Sequence, residues 1–229
     1  MIVVKKLQRG KSTRKATLKL MTNVKRAANL KHESIIPFVG VAWSTGLDVS
    51  LATEFAPQYD LATVLQSQDA DALTWEDFKC QVAIDVADAL EYLHSMQPPY
   101  VFGKLRSTHV LIDDADRAKL NIIRVGGDEP LNATQLQWVA PEVVLGECVD
   151  ERSDIYAFGV LLGVLDTHRD PSVDMEETSP VDVVKRAASG SLFRGPSARS
   201  PESIAELIQD CVQVDPQKRP SRISQKDEF

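Results

Sequence analysis

No Asp or Glu occurs among the first 32 residues of this chain, although acidic residues outnumber basic ones overall, 33 against 26. Ten Lys and Arg crowd into that stretch (Lys5, Lys6, Arg9, Lys11, Arg14, Lys15, Lys19, Lys25, Arg26, Lys31), so residues 33–229 hold 16 basic and all 33 acidic residues, a balance of −17. The plainest expectation is a solvated basic face drawn toward an acidic remainder; an acidic partner, a phosphoinositide surface or nucleic acid are the other ligands such a charge run fits. Cysteine is scarce. Cys80, Cys148 and Cys211 are odd in number and far apart, which excludes a disulfide framework and zinc-ligand spacing and predicts buried, reduced thiols. No apolar run is long enough to cross a bilayer. Met1 to Gly10 places a short apolar run before its basic residues, the reverse of a signal peptide, so a cytoplasmic location is expected. Internal repeats and low-complexity segments are also absent.

The β-branched run Ile2-Val3-Val4 reads as a strand, as do Ile35 to Trp43 and Val49 to Phe55 on either side of the turn-like Ser44-Thr45-Gly46. Ala16 to Leu30 has a helical face through Leu20, Val24, Ala27 and Leu30. Pro57 marks a break, and helices dominate thereafter. A long helix is predicted from Thr74, with Asp77 completing a capping box and Phe78, Val82, Val86, Ala89, Leu90 and Leu93 forming its buried stripe up to Pro98-Pro99. Val110 to Ile112 and Lys119 to Ile122 flank the acidic turn Asp113 to Asp116, which predicts a hairpin. Ile155 to Leu165 is apolar nearly all round and should be a central helix; Val181 to Ala188 and Ile204 to Val212 are amphipathic. Strands first and helices later mean an α+β arrangement, a small sheet lobe over residues 1–56 and a larger helical lobe over 57–229.

Several segments then share an order and spacing. Val3-Val4-Lys5-Lys6-Leu7 is followed by Leu30-Lys31-His32-Glu33-Ser34-Ile35-Ile36, by Leu51 to Pro57, by Leu90-Glu91-Tyr92-Leu93-His94-Ser95, by Trp138-Val139-Ala140-Pro141-Glu142, by Ser153-Asp154-Ile155-Tyr156-Ala157-Phe158-Gly159, and by Asp215-Pro216 through Arg219-Pro220-Ser221. Together they resemble the eukaryotic protein kinases, with the flavour of the tyrosine-kinase-like Ser/Thr group, over nearly the whole chain. The resemblance implies a two-lobed fold with a truncated small β lobe. It also implies nucleotide-pocket candidates at Lys5, at the gatekeeper Thr53, and at Glu54 and Ala56. Structural roles would fall to the Glu142–Arg219 pair and to Asp154, which would anchor the catalytic loop; Phe102, Ile123 and Ala27 fall on a hydrophobic spine.

Phosphoryl transfer needs a glycine-rich loop, a lysine held by a helix glutamate, a base carboxylate, and oxygen ligands for magnesium. The chain opens at the strand that would follow the glycine-rich loop. The helix glutamate aligns with Asn23, which predicts a Lys5 without its ion-pair partner. The His-Arg-Asp triplet becomes Phe102-Gly103-Lys104, the magnesium-binding asparagine becomes His109, and Asp-Phe-Gly becomes Ile122-Ile123-Arg124. An ammonium is no base at pH 7, and Ile122 has no oxygen. The neighbouring Asp113 and Asp114 read as turn residues. The expectation is therefore a catalytically inactive pseudokinase with no cofactor, or at most ATP without magnesium. Its partners would be signalling proteins, an active kinase among them, and no nucleic acid. Two alternatives stay open: a divergent Ser/Thr kinase fragment and a metal-independent nucleotide-binding switch. Thr134 is a phosphorylation candidate beside the plainer reading of a loop threonine. The early start and the stop soon after Arg219 raise the expectation of a truncated gene reading or a short form with an exposed sheet edge that a partner would cover.

Overall fold

The computed structural model describes residues 1–6, 13–44, 49–67, 72–123, 133–171, 179–193 and 195–221. Leu7, Thr45, Gly46, Arg124 and most of the loop between His168 and Pro180 lie outside them, as does the side chain of Thr134.

Three antiparallel strands form the small sheet: β1 (Ile2–Lys6), β2 (Phe38–Trp43) and β3 (Val49–Glu54), in the order β1-β3-β2. Alternation decides its faces. Val3 and Lys5 lie opposite Thr53 and Leu51 and turn inward, while Ile2, Val4 and Lys6 turn outward. Helix α1 (Arg14–Ala27) begins where the Thr13 hydroxyl accepts the Ala16 N–H, and it buries Leu20, Val24 and Ala27. Its outward side carries Arg14, Lys15, Lys25 and Arg26. The segment behind α1 then joins the helical lobe through backbone bonds. Ile36 N–H donates to the Leu120 carbonyl (3.0 Å), and Leu120 N–H donates to the Ser34 carbonyl (2.9 Å).

Past Pro57 come α2 (Leu61–Leu65), capped by Asp60, and α3 (Phe78–His94). The sequence placed the start of α3 at Thr74. The helix instead begins four residues later, with Asp77 as its N-terminal cap residue and not the third residue of a capping box. Thr74 to Asp77 form a turn in which the Trp75 indole N–H reaches Asp166 (3.2 Å), a long-range bond that local pattern cannot reveal. The hairpin is present as β4 (Val110–Ile112) and β5 (Ala118–Leu120).

Short helices α4 (Ala133–Leu136) and α5 (Pro141–Val144) precede the long α6 (Glu151–Thr167). Asp150 caps α6 by accepting from the Arg152 and Ser153 amides, and every residue from Ser153 to Leu165 is buried. At Gly159 an added Cβ would come within 2.6 Å of Cys211 Cβ, and at Gly163 within 2.1 Å of the Phe193 ring, so α8 (Glu202–Cys211) and its neighbours approach α6 closely only because these two positions lack side chains. Helix α7 (Pro180–Ala188) packs Val183 and Ala187 with Leu192 in a satellite cluster. The main core is continuous, running from Leu20 and Leu51 through Ile35 and Leu120 to α3, α6 and α8. Fully burying each such Leu or Ile contributes about 1.5–3 kcal/mol. None of the three cysteines is in a disulfide, but only Cys211 is buried; Cys80 is half-buried and Cys148 is exposed on the loop before α6, correcting the expectation of three buried thiols. Among the described residues no helix is long and apolar enough to cross a membrane.

Candidate functional site

Asp154, one turn into α6, organises the segment between α3 and β4. Its carboxylate is 1% exposed and accepts the Phe102 N–H (2.8 Å), the Gly103 N–H (2.6 Å) and a bond with His94 Nε2 (2.9 Å) from the end of α3. Charge-assisted bonds to buried amides are among the stronger ones a fold can make. Gly103 sits at φ +68°, the left-handed region that favours glycine, and its Cβ would lie 3.3 Å from Val149. Phe102 and Leu105 turn into the core, which leaves Lys104 exposed between them.

Ser107–His109 make one 3-10 turn. His109 Nδ1 lies 2.6 Å from the Lys104 carbonyl, which can only accept, so Nδ1 carries the hydrogen. Nε2 is then an acceptor, and Arg106 Nη2 donates to it at 3.3 Å. Burial works to lower the Arg106 guanidinium below its ordinary value, opposed by the charge of Asp170.

The hairpin carries the other half of the site. Its position is fixed by Asp85, fully buried on α3, which accepts Arg117 Nε (2.9 Å), Arg117 Nη2 (2.5 Å), the Ala118 N–H (2.8 Å) and Gln81 Nε2 (3.0 Å). The Arg117 guanidinium is raised, chiefly by its bonds to Asp85, with burial opposing. Asp113 folds back over the turn. Burial alone would raise its carboxyl, but the Arg117 and Ala115 amides and the Lys119 ammonium hold it below the usual carboxylate range.

Beyond β5 come Asn121, Ile122 and Ile123. Lys5 reaches down from β1 and donates to Asn121 Oδ1 (2.7 Å) and to the Ile123 carbonyl (3.0 Å). The sequence predicted a Lys5 lacking its helix partner. Lys5 is instead held across the cleft, because a neutral amide oxygen satisfies an ammonium as a donor even though it carries no charge. Asn23 lies half-buried on α1. Asn121→Ala is expected to cost about 1–2 kcal/mol by removing one charge-assisted bond, read as a lower midpoint in urea; Asn23→Ala should cost less than half as much. Ile122 is 8% exposed, and Ile123, Phe102 and Ala27 are buried in the same continuous core.

Of the other pocket candidates, Thr53 is buried on the inward face of β3, two residues along from Leu51, which pairs with Lys5. Glu54 lies on the alternate face opposite Ile2, 3.6 Å from Lys119, and Ala56 follows half-buried. A groove of about 980 Å³ opens further along, between Tyr59, Leu73, Phe78 and Asp116; neither Lys5 nor Lys104 lines it.

Below the site, Arg219 holds Glu142 through two parallel bonds of 2.7 Å, and both side chains are buried. Arg219 also donates to the carbonyls of Gln213 (2.8 Å) and Arg152 (2.9 Å), and it stacks over Tyr156 at 5.1 Å. Burial pushes the Tyr156 phenol well up, Glu142 adds to the rise and Arg219 opposes it.

The family described as protein tyrosine and serine/threonine kinase matches residues 1–225. The chain belongs to the protein kinase superfamily. Among individual kinases it is similar to the Serine/threonine-protein kinase CTR1 of Arabidopsis thaliana, 31% identical over 202 residues, covering 84% of this chain and 24% of that protein. It is also similar to the Probable serine/threonine-protein kinase SIS8 of the same plant, 31% identical over 230 residues, covering 96% and 22%. The Probable serine/threonine-protein kinase drkB of Dictyostelium discoideum is 25% identical over 226 residues, covering 96% and 32%. The chain thus spans between a fifth and a third of the length of these relatives. Its architecture is that of the superfamily, a small sheet beside a larger helical portion. Sequence reasoning had singled out Asp154, Glu142 and Arg219 but missed Asn121, Asp85 and the His94–Asp154 bond. Asp85 had a signal: it is the lone carboxylate inside the apolar stripe of α3, where an unpaired charge is untenable.

Proposed function

We propose that this kinase-fold domain is a pseudokinase, a binding scaffold or regulator in signalling and not a phosphoryl-transfer enzyme. One observation carries the reading: the positions that match the catalytic and metal-binding aspartates of the family are Lys104, an exposed ammonium, and Ile122, a buried hydrocarbon. The donor set does not fit magnesium, which requires near-octahedral oxygen ligands. His109, at the position of the metal-binding asparagine, has one nitrogen on the Lys104 carbonyl and the other facing the Arg106 guanidinium. Among the described residues no three His, Cys, Asp or Glu side chains converge. The ammonium of Lys5 is engaged by Asn121 and Ile123, which supports a cleft closed on itself over one kept ready for phosphates. The tyrosine-kinase-like affinity, the cytoplasmic setting and a partnership with signalling proteins, an active kinase among them, belong to the same proposal.

Two measurements test it on the purified chain. Incubation with labelled ATP, magnesium and a general protein substrate is expected to give no transfer above the no-enzyme rate. Transfer that vanishes on Lys5→Ala would overturn the reading in favour of a divergent kinase. The thermal midpoint with ATP is expected to stay unchanged with or without magnesium. A ligand that binds only the folded state at a hundred times its dissociation constant adds about 2.7 kcal/mol, so a magnesium-dependent rise would also count against the proposal. A rise with ATP alone would favour the nucleotide-binding switch.

A further inference from the structure

We infer that this chain associates with itself head to tail, the outward face of α1 on one copy seating in the groove between α2 and α3 on the next.

The groove's volume of about 980 Å³ lies at the upper end of the roughly 300–1,000 Å³ of drug-sized ligand sites, which leaves room for several side chains. Val64, Leu73, Phe78 and Ile84 line it with hydrocarbon. Its charged residues are Glu76, Asp77, Asp116 and Arg117. The three acidic residues are exposed, and Asp77 caps α3 without a side-chain bond. Arg117 commits Nε and Nη2 to the buried Asp85. The charge that faces a ligand is therefore negative.

Helix α1 presents the complement. At 3.6 residues per turn, Arg14, Lys15, Leu18 and Lys25 fall within about 100° of one another, on the side opposite the buried Leu20, Val24 and Ala27. All four are exposed, Leu18 at 60%. Among the described residues, no carboxylate of the same molecule pairs with Arg14, Lys15 or Lys25. One apolar anchor set among cations on a helix face suits a groove with an apolar floor and an acidic rim.

A second copy is the occupant that the charges favour. Residues 1–32 carry ten basic residues and no acidic one, and the remainder has a balance of −17. Head-to-tail docking sets the basic part of one copy against the acidic part of the next. Symmetric pairing of two α1 faces, or of two grooves, would set like charges together. The contact is heterologous, so each added copy leaves one α1 and one groove open, and growth stops at a dimer only if the geometry closes. One helix face in one groove is also a small contact, of the class that binds weakly.

Sedimentation velocity on the intact chain tests this, at concentrations up to about 200 μM, which reach weak micromolar contacts. At low salt the average mass should climb with concentration. About 0.5 M salt, which screens charges beyond a few ångströms, should weaken the association at least tenfold. Leu18→Asp and Glu76→Lys lie at exposed positions, so each should weaken association at least tenfold and leave the thermal midpoint unmoved. An equimolar mixture of the two variants should recover a dimer and nothing larger. Only the intact α1 of the Glu76→Lys copy and the intact groove of the Leu18→Asp copy can then meet. A wild-type chain that stays monomeric throughout would overturn the inference and leave the groove to a basic segment of another protein. Association that ignores salt, or that survives either substitution, would overturn it as well. So would a mixture that stays monomeric, which is what a symmetric dimer gives.

Discussion

Arg219→Ala is expected to lower the unfolding free energy by about 3–5 kcal/mol, because it strands a buried carboxylate. The Arg219 side chain is fully buried, and its removal leaves Glu142 and the carbonyls of Gln213 and Arg152 without their donor. Urea denaturation reads the loss directly, as a lower midpoint at unchanged slope. Replacing Glu142 and Arg219 together by methionine removes both charges, and such paired replacements often come near neutral. Here the recovery should be partial, since the backbone carbonyls still lack partners, at about 1–3 kcal/mol for a buried unsatisfied group. A double variant no more stable than Arg219→Ala would show that the bonds to carbonyls, and not the ion pair, carry the arginine's contribution.

Asp154→Ala should cost a comparable amount, about 3–5 kcal/mol, by orphaning the buried Phe102 amide, the Gly103 amide and the imidazole of His94. Its signature differs from that of Arg219→Ala. Amide exchange at Phe102 and Gly103 should accelerate far more than exchange in the middle of α6, because the bonds lost are the ones that hold that loop. Asp154→Asn should recover little. One side-chain oxygen remains, and the amide that replaces the other presents its own hydrogens to an N–H. Unchanged exchange at Phe102 and Gly103 in Asp154→Ala would mean that Phe102 and Leu105, packed in the core, position the loop unaided.

The helical half was the more legible part of the sequence, and the reasons are local. The all-round apolarity of Ile155 to Leu165 admits no reading but a buried helix, and the acidic turn between Val110 and Lys119 set the hairpin. The start of α3 was misplaced because Thr74 and Asp77 imitate a capping box, whereas residues 75–77 form a turn in which Trp75 bonds to an aspartate 91 residues away and Asp77 itself becomes the cap residue. The partner of Lys5 was missed for a related reason. A lysine at such a place invites a search for a carboxylate, and an asparagine after β5 satisfies it through a neutral oxygen. The basic first segment was expected to lean on acidic residues of the helical lobe. Among the described residues, two of its cations make contacts with neutral groups of that lobe: Lys5 with Asn121 and the Ile123 carbonyl, and Arg26 lying 4.4 Å over the Tyr100 ring, whose negative face attracts a cation.

The two backbone bonds between Ser34–Ile36 and Leu120 have a mechanical consequence for the cleft above them. They pin the sheet lobe to the hairpin at one place, so sliding would break both bonds whereas a swivel about Ile35 keeps them. Lys5, gripping Asn121 and Ile123, fastens the same hairpin from the opposite lobe a few residues further along. Lys5 is thus one of several ties between the lobes, beside the Glu54–Lys119 pair and Arg26 over Tyr100, and its loss would loosen the cleft face while the Ile35 side keeps its two bonds.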